Sequence, residues 1–261
     1  MPFTFAHPAA AVPFRRLGLV LSALVMGAVA PDFEYFLRLE PHSRFGHEMP
    51  WVLLITFPGA FLALWLFHAV VKRGLATLLP VPAQRRLQPY LGSFSFGGGG
   101  RFALIAASIA VGIGTHLLWD QFTHRDTIVY EHWMWLRTMI AFPAAVRPLP
   151  VYKVLQYASS LLGCVLLGGW LWRWWLRAPA SSMPPDARWS AGKRTAMLAA
   201  MAVLPVLCGL MRADTASTSP SAGIARVAGV AVVTAISTAM AEALVLGLTW
   251  ELAHRRRTIS S

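Results

Sequence analysis

Charge is scarce in this chain. Asp, Glu, Lys and Arg make up 13% of its 261 residues, about half the ~25% carried by a soluble globular domain. That shortage excludes a water-soluble fold, and a composition 56% hydrophobic points instead to a polytopic membrane protein. Cysteine is nearly absent. Cys164 and Cys208 both sit inside apolar runs, which excludes a disulfide framework and a cysteine-ligated zinc site. Acidic side chains are few, 11 against 23 basic ones, for a net charge of +12. The surplus is not the footprint of a nucleic-acid binder, and no nucleic-acid partner is expected: most basic residues flank apolar runs, where they act as topology signals. Gly97-Gly98-Gly99-Gly100-Arg101 lacks the Gly-Lys-Ser/Thr of a P-loop. No internal repeat is present.

What the chain does have is long apolar runs, at about 17–30, 50–71, 102–119, 151–176, 195–211 and 223–249. A spanning helix needs about 20 residues, so the last five can cross a bilayer, whereas the first is short and can be a half-buried helix. The expected fold is therefore all-α, a polytopic transmembrane bundle of five or six spanning helices. Arg15-Arg16 before the first run imitate a signal peptide, but Pro31 after Ala28-Val29-Ala30 is a poor cleavage context, so the segment is expected to stay. Fifteen basic residues fall in 1–16, 72–101, 173–194 and the C-terminal tail, and eight elsewhere. The positive-inside rule then places the C-terminus in the cytoplasm of a bacterial inner-membrane protein, with 31–49 and 120–150 outside. If the first helix does not span, only the side of residues 1–16 changes. Residues 178–191, rich in Ala, Pro and Ser, read as a linker. It separates a domain at 1–177 from an accessory pair of helices with a basic tail at 178–261. Residues 1–160 hold seven of the eight histidines.

One stretch does not belong in lipid. His116-Leu117-Leu118-Trp119-Asp120-Gln121-Phe122-Thr123-His124 puts three metal-ligand side chains at i, i+4 and i+8, on one helical stripe. Ionisable groups at membrane depth are costly and usually functional. Imidazole with carboxylate suits Zn²⁺ or another divalent transition ion. His116 and Asp120, one turn apart, can share an ion. His124 lies roughly 12 Å from His116 if the helix continues, and needs a bend after Asp120 or a second metal. Three further clusters carry candidate ligands. His7 stands in Thr4-Phe5-Ala6-His7-Pro8. Asp32 and Glu34 stand in Pro31-Asp32-Phe33-Glu34-Tyr35-Phe36. His42 and His47 stand in His42-Ser43-Arg44-Phe45-Gly46-His47-Glu48. His7 joins the others only if the first helix is not a simple span. Asp32 and Glu34 can ligate, bridge or take a proton from a metal-bound water, and two or three ions about 3.5–4 Å apart would suit phosphoester hydrolysis. The structural alternatives are a His116–Asp120 hydrogen-bonded pair locking two helices, a helix-terminating turn at Asp32 and a solvated loop residue at His42.

The order of these motifs resembles the bacterial zinc-dependent phospholipase C family, which belongs to a superfamily with the single-strand-specific zinc nucleases. The His42-x4-His47 spacing is similar to an element of bacterial membrane-bound metal-dependent hydrolases. The opening Met1-Pro2-Phe3-Thr4-Phe5-Ala6-His7-Pro8 resembles an uncharacterised bacterial membrane family related to them. By that resemblance, which covers about residues 1–160, His116 and Asp120 are ligands with Asp120 a bridge. Asp32 is a ligand or base, and His7, His47 and His124 are further ligands. The soluble enzymes' later His-x3-Glu pair has no counterpart here unless Glu131 and His132 substitute.

The expected function is a membrane-bound metal-dependent hydrolase, with the bilayer as its partner and a phospholipid or other phosphoester as its substrate. The other class is a transporter or metal-handling membrane protein, with Glu242, deep in the last run beside Thr234 and Ser237, in a proton relay. The bland reading of Glu242 is a helix-packing hydrogen bond.

Overall fold

The computed structural model describes residues 3–141, 148–182, 189–218 and 223–259, with side chains as far as His254. Part of the linker, 183–188, therefore lies outside the described residues. So do Arg147 and Arg188 of the charge balance, the side chains of Arg255 to Arg257, and Met1-Pro2 of the opening motif.

The protein is all-α. Short helices α1 (Pro8–Ala11), α2 (Leu21–Val29) and α3 (Phe33–Arg38) precede the long helix α4 (Val52–Leu78). Then come α5 (Val81–Leu87), α6 (Gly99–Thr123), α7 (Ile128–His132), α8 (Val151–Arg177), α9 (Ala191–Ser217) and α10 (Ile224–Ile259). A two-residue antiparallel ladder pairs Met139 with Pro150 and Ile140 with Leu149. Five helices, α4, α6, α8, α9 and α10, are long and apolar enough to cross a membrane. At 1.5 Å per residue, 27 residues reach about 40 Å, more than the ~30 Å hydrocarbon core. The run at 17–30 is not a sixth span. A 3-10 turn over Val12–Leu17 closes at Gly18, whose φ of 81° needs no Cβ, and α2 that follows has nine residues, roughly 14 Å.

Two compact units emerge. The first comprises Met1–Asp32, Phe45–Phe61 and Phe96–Arg177. The second comprises Phe33–Arg44, Leu62–Ser95 and Ala178–Ser261. The division at Arg177 falls where the composition changes, and the second unit also takes in two earlier segments.

In the first unit α2 and α6 meet backbone to backbone. A Cβ on Gly27 would stand 2.3 Å from the Ile109 carbonyl oxygen, and one on Gly112 would stand 2.4 Å from that of Leu24. Small residues permit this approach, which helices in lipid use where water supplies no driving force. Ala11, Leu24 and Ala28 are fully buried against Leu19 and Val111. The buried positions of α6 recur every three to four residues: Ile105, Ser108, Ile109, Gly112, Ile113, His116, Asp120 and Thr123. The packing stripe thus runs without a break into the candidate ligands. In the second unit α9 meets α10 where a Cβ on Gly209 would lie 2.7 Å from the Ala231 oxygen. Within the same unit Arg73 pairs with Glu251 at 3.6 Å, and the Ser237 hydroxyl donates to the Phe36 carbonyl at 2.8 Å.

Candidate metal centre

The first unit gathers six of the candidate donors from four chain segments. His7 follows the 3-10 turn Thr4–Ala6, and Pro8 starts α1 where its missing N–H costs nothing. Asp32 ends the 3-10 turn Ala30–Asp32 that extends α2. His47 comes from the loop before α4. His116 and Asp120 stand on α6, and His124 caps its end with an extended backbone, φ −117° and ψ 157°.

His116 is the hub. Its Nδ1 lies 2.7 Å from the Ala28 carbonyl oxygen. That oxygen is one of those the last turn of α2 leaves without a helical partner, and a carbonyl only accepts, so Nδ1 carries the proton. The Nε2 lone pair of the neutral ring is left facing its neighbours. His47 Nε2 is 3.1 Å away, Asp120 Oδ2 3.3 Å and Asp32 Oδ1 3.6 Å. His47 Nε2 is in turn 3.2 Å from Asp120 Oδ2 and 3.5 Å from Asp32 Oδ1. Charge-assisted N–H···O hydrogen bonds run at about 2.7–2.9 Å. The four His–carboxylate separations here are longer than that. Four donors at about 2.0–2.2 Å from a tetrahedral Zn²⁺ stand about 3.3–3.6 Å from one another. Five of the six edges of that figure therefore measure 3.1–3.6 Å in this protein.

The other oxygen of Asp120 looks elsewhere. Oδ1 lies 3.4 Å from His124 Nδ1 and 3.7 Å from His7 Nε2. It is buried and without a hydrogen bond among the described residues, as is His124 Nε2. His7 stacks on His116 with centroids 3.7 Å apart and planes 15° from parallel. One carboxylate thus faces two sets of imidazoles, the disposition a bridging ligand needs.

Burial sets the charge state of the two donors outside the spans. It lowers His7 to about 3, helped by the neighbouring His116, so the ring stays neutral with a lone pair to give. It pushes the Asp32 carboxyl up from its ordinary value, against the pull of His116, His47 and the Thr4 hydroxyl. That hydroxyl donates to Asp32 Oδ2, which leaves Oδ1 for the cluster. His7, Asp32, His116 and Asp120 are buried, whereas the side chains of His47 and His124 are 19% and 27% exposed and form the accessible edge.

A family model described as a domain of unknown function (DUF4184) matches residues 1–248. The chain belongs to this family. No curated protein and no solved structure matches the chain. All six gathered donors, His7 to His124, lie within the DUF4184 match.

Two expected residues are placed otherwise in this DUF4184 chain. Glu34 belongs to the second unit and spends its carboxylate locally, on the Arg38 guanidinium at 2.6 Å, the Arg44 amide at 2.8 Å and the Ser43 hydroxyl at 3.0 Å. A base so occupied has no lone pair to spare. His42, also in the second unit, has a 57% exposed side chain with Glu40 at 3.9 Å. Its spacing from His47 resembled a ligand pair, but Arg44 and Phe45 fall on opposite sides of the unit boundary. Glu131 and His132 do not join either ligand group among the described residues, and His132 bonds the Ile128 carbonyl at 2.8 Å. His124 joins without a bend at Asp120, because α6 stops at Thr123 and the extended backbone returns the ring. Two contributors went unread in the sequence. Thr4 stood in a motif quoted for its histidine, and the Ala28 carbonyl has no sequence signal beyond its place near a helix end.

Proposed function

We propose that this DUF4184 protein is a membrane-bound, metal-dependent hydrolase. The observation that carries the reading is the near-tetrahedral spacing of Asp32 Oδ1, His47 Nε2, His116 Nε2 and Asp120 Oδ2. The donor chemistry, two imidazoles and two carboxylates, suits Zn²⁺ or a related divalent ion. A bound Zn²⁺ supplies Lewis acidity and lowers the pKa of a water ligand to about 7. The chain's own contribution is to hold donors in fixed tautomers and to keep one edge open. Ala28 orients His116, Thr4 orients Asp32, and His47 and His124 line the approach. Asp32 serves this reading as a ligand, since both of its oxygens are engaged. His7 and His124 are placed to serve a second ion through Asp120 Oδ1. The resemblance to zinc-dependent phospholipase C supports a phosphoester substrate, and five spanning helices favour one presented by the bilayer. The charge balance of the connections supports a bacterial inner-membrane location with a cytoplasmic C-terminus and the centre on the outer face.

Metal analysis of the purified protein and of Asp120→Asn tests the reading. A divalent ion is expected at one or two per wild-type chain and lost in the variant, with hydrolysis of bis(4-nitrophenyl) phosphate lost alongside. A wild-type protein free of metal after expression in zinc-supplemented medium would overturn it.

One observation favours the transport class. Glu242 Oε2, in the span α10, is buried without a hydrogen bond among the described residues, as is Thr234 Oγ1. If Glu242→Gln abolishes function while Asp120→Asn changes neither metal content nor activity, transport replaces hydrolysis.

A further inference from the structure

One face of α8 changes character along its length. Tyr152, Gln156 and Gly163 are its buried positions, and Ser159 and Leu166 continue the same stripe. At the α8 start Lys153 Nζ and the Arg125 guanidinium both lie 5.6 Å from the centre of the Tyr152 ring. Arg125 donates to the Tyr152 hydroxyl and Lys153 to Gln156 Oε1 at 2.7 Å. Among the described residues neither cation has a carboxylate within ion-pair distance. Arg125 follows His124, a donor of the centre. Gln156 is buried, and its Nε2 reaches the Thr123 carbonyl at 3.2 Å, which ties this end of α8 to the end of α6.

Deeper along the stripe a crevice of about 190 Å³ opens between α1, α6 and α8. Its walls are Ala9 and Ala10, Trp119, and Leu162 and Leu166, and one end is the ring of His7. It exists because small residues hold the walls apart. Gly163 admits Ala6 so closely that a Cβ there would meet the Ala6 oxygen at 2.8 Å. From Lys153 to Leu162 the helix rises about 13 Å, the distance from a bilayer interface well into hydrocarbon.

The geometry points to a binding track for one anionic membrane lipid. The phosphate sits at Arg125 and Lys153, and one hydrocarbon chain lies in the crevice against His7. The cations are at an interface, where an anionic headgroup is available and each basic residue contributes attraction. The crevice is apolar apart from its edge at His7 and Ser159, as a methylene chain requires. The track passes the donors Asp120 and His7, so the lipid it selects is the class of substrate delivered to the centre. As a substrate track it rests on the hydrolase reading; as a binding site it is measured without turnover.

Native mass spectrometry of detergent-purified protein, titrated with phosphatidylglycerol or phosphatidylcholine, reads the site directly. The wild type is expected to retain one phosphatidylglycerol in preference to phosphatidylcholine. Lys153→Ala removes one interfacial cation and should weaken that retention about five-fold. Ala10→Trp fills the crevice. Excluding two methylenes of chain should weaken retention of both lipids about ten-fold, while Ala10→Ser leaves it as in the wild type. Ala10 is exposed, so the larger side chain need not disturb a core, and a single monodisperse peak on size exclusion confirms the fold. Equal retention of the two lipids by the wild type, or retention unchanged in both Lys153→Ala and Ala10→Trp, overturns the track. Retention as expected in a protein that holds no metal leaves the track standing and removes the hydrolase reading.

Discussion

Thr4 shows how much a neutral residue can settle. Asp32 is the most buried carboxylate of the centre, at 1% exposure, and burial alone favours its protonated form. The Thr4 hydroxyl gives Oδ2 a partner and turns Oδ1 toward His47 and His116. Outer partners of this kind affect metal affinity by about 10–100-fold when removed. Thr4→Val keeps the shape and deletes the donor, so competition against a chelator should show affinity lower by about that factor, with Thr4→Ser restoring it. Unchanged affinity in Thr4→Val would mean that Asp32 holds its orientation without the hydroxyl. At this scale the sequence was readable where chemistry and period coincide. His116 and Asp120 lie one turn apart on an apolar helix, a costly choice in lipid without a use. His42 and His47 carry no such period, because a loop imposes none, and only folding separates the exposed imidazole from the gathered one. Glu34 was misread because nothing in the local sequence shows that Arg38, Ser43 and the Arg44 amide will all turn to it.

Between elements, the contact of α2 with α6 governs the centre. Gly27 and Gly112 bring the backbones together, and only at that approach does the His116 ring reach the Ala28 oxygen. Gly112→Val would place its side chain against backbone atoms of Leu24, Gly27 and Ala28, none of which can rotate away. We expect a loss of about 1–3 kcal/mol of stability by overpacking, together with loss of metal. Gly114→Ala is the control: on the same helix it meets nothing within 4 Å. Thermal unfolding in detergent should separate the two, and equal Tm values would show that the close approach is not required. Element existence was legible from hydropathy, since five runs match five long helices. The first run was ambiguous by length alone. Gly18 and the brevity of α2 settle it, and with it the main doubt about His7 falls away, because the N-terminal segment packs in the same unit as α6.

For the whole molecule the decisive quantity is the division of basic residues, fifteen to eight between the two sets of connections. It predicts a cytoplasmic C-terminus after an odd number of spans. Fusion of the C-terminus to alkaline phosphatase and, separately, to a green fluorescent protein should give a fluorescent, phosphatase-inactive pair. The reverse pattern would move the centre to the cytoplasmic face and leave its geometry intact. Such a division is visible in a sequence because insertion machinery reads charge directly. The sharing of 33–44 and 62–95 with the C-terminal helices is not visible, because contacts such as Gly74 against Gly247 join positions far apart in the chain.

The donors of the centre are all made early. His7 to His124 occupy the first half of the chain, and only α4 and α6 among the five spans precede the last of them. A ribosome that has released residue 124 has delivered every ligand while α8, α9 and α10 are still to be synthesised. The back of His7 is closed later, when α8 brings Gly163 against Ala6. Translation order thus leaves an interval in which the ligand set is complete but its lipid-side wall is missing, and an ion captured then would be sealed in by the next helix to arrive.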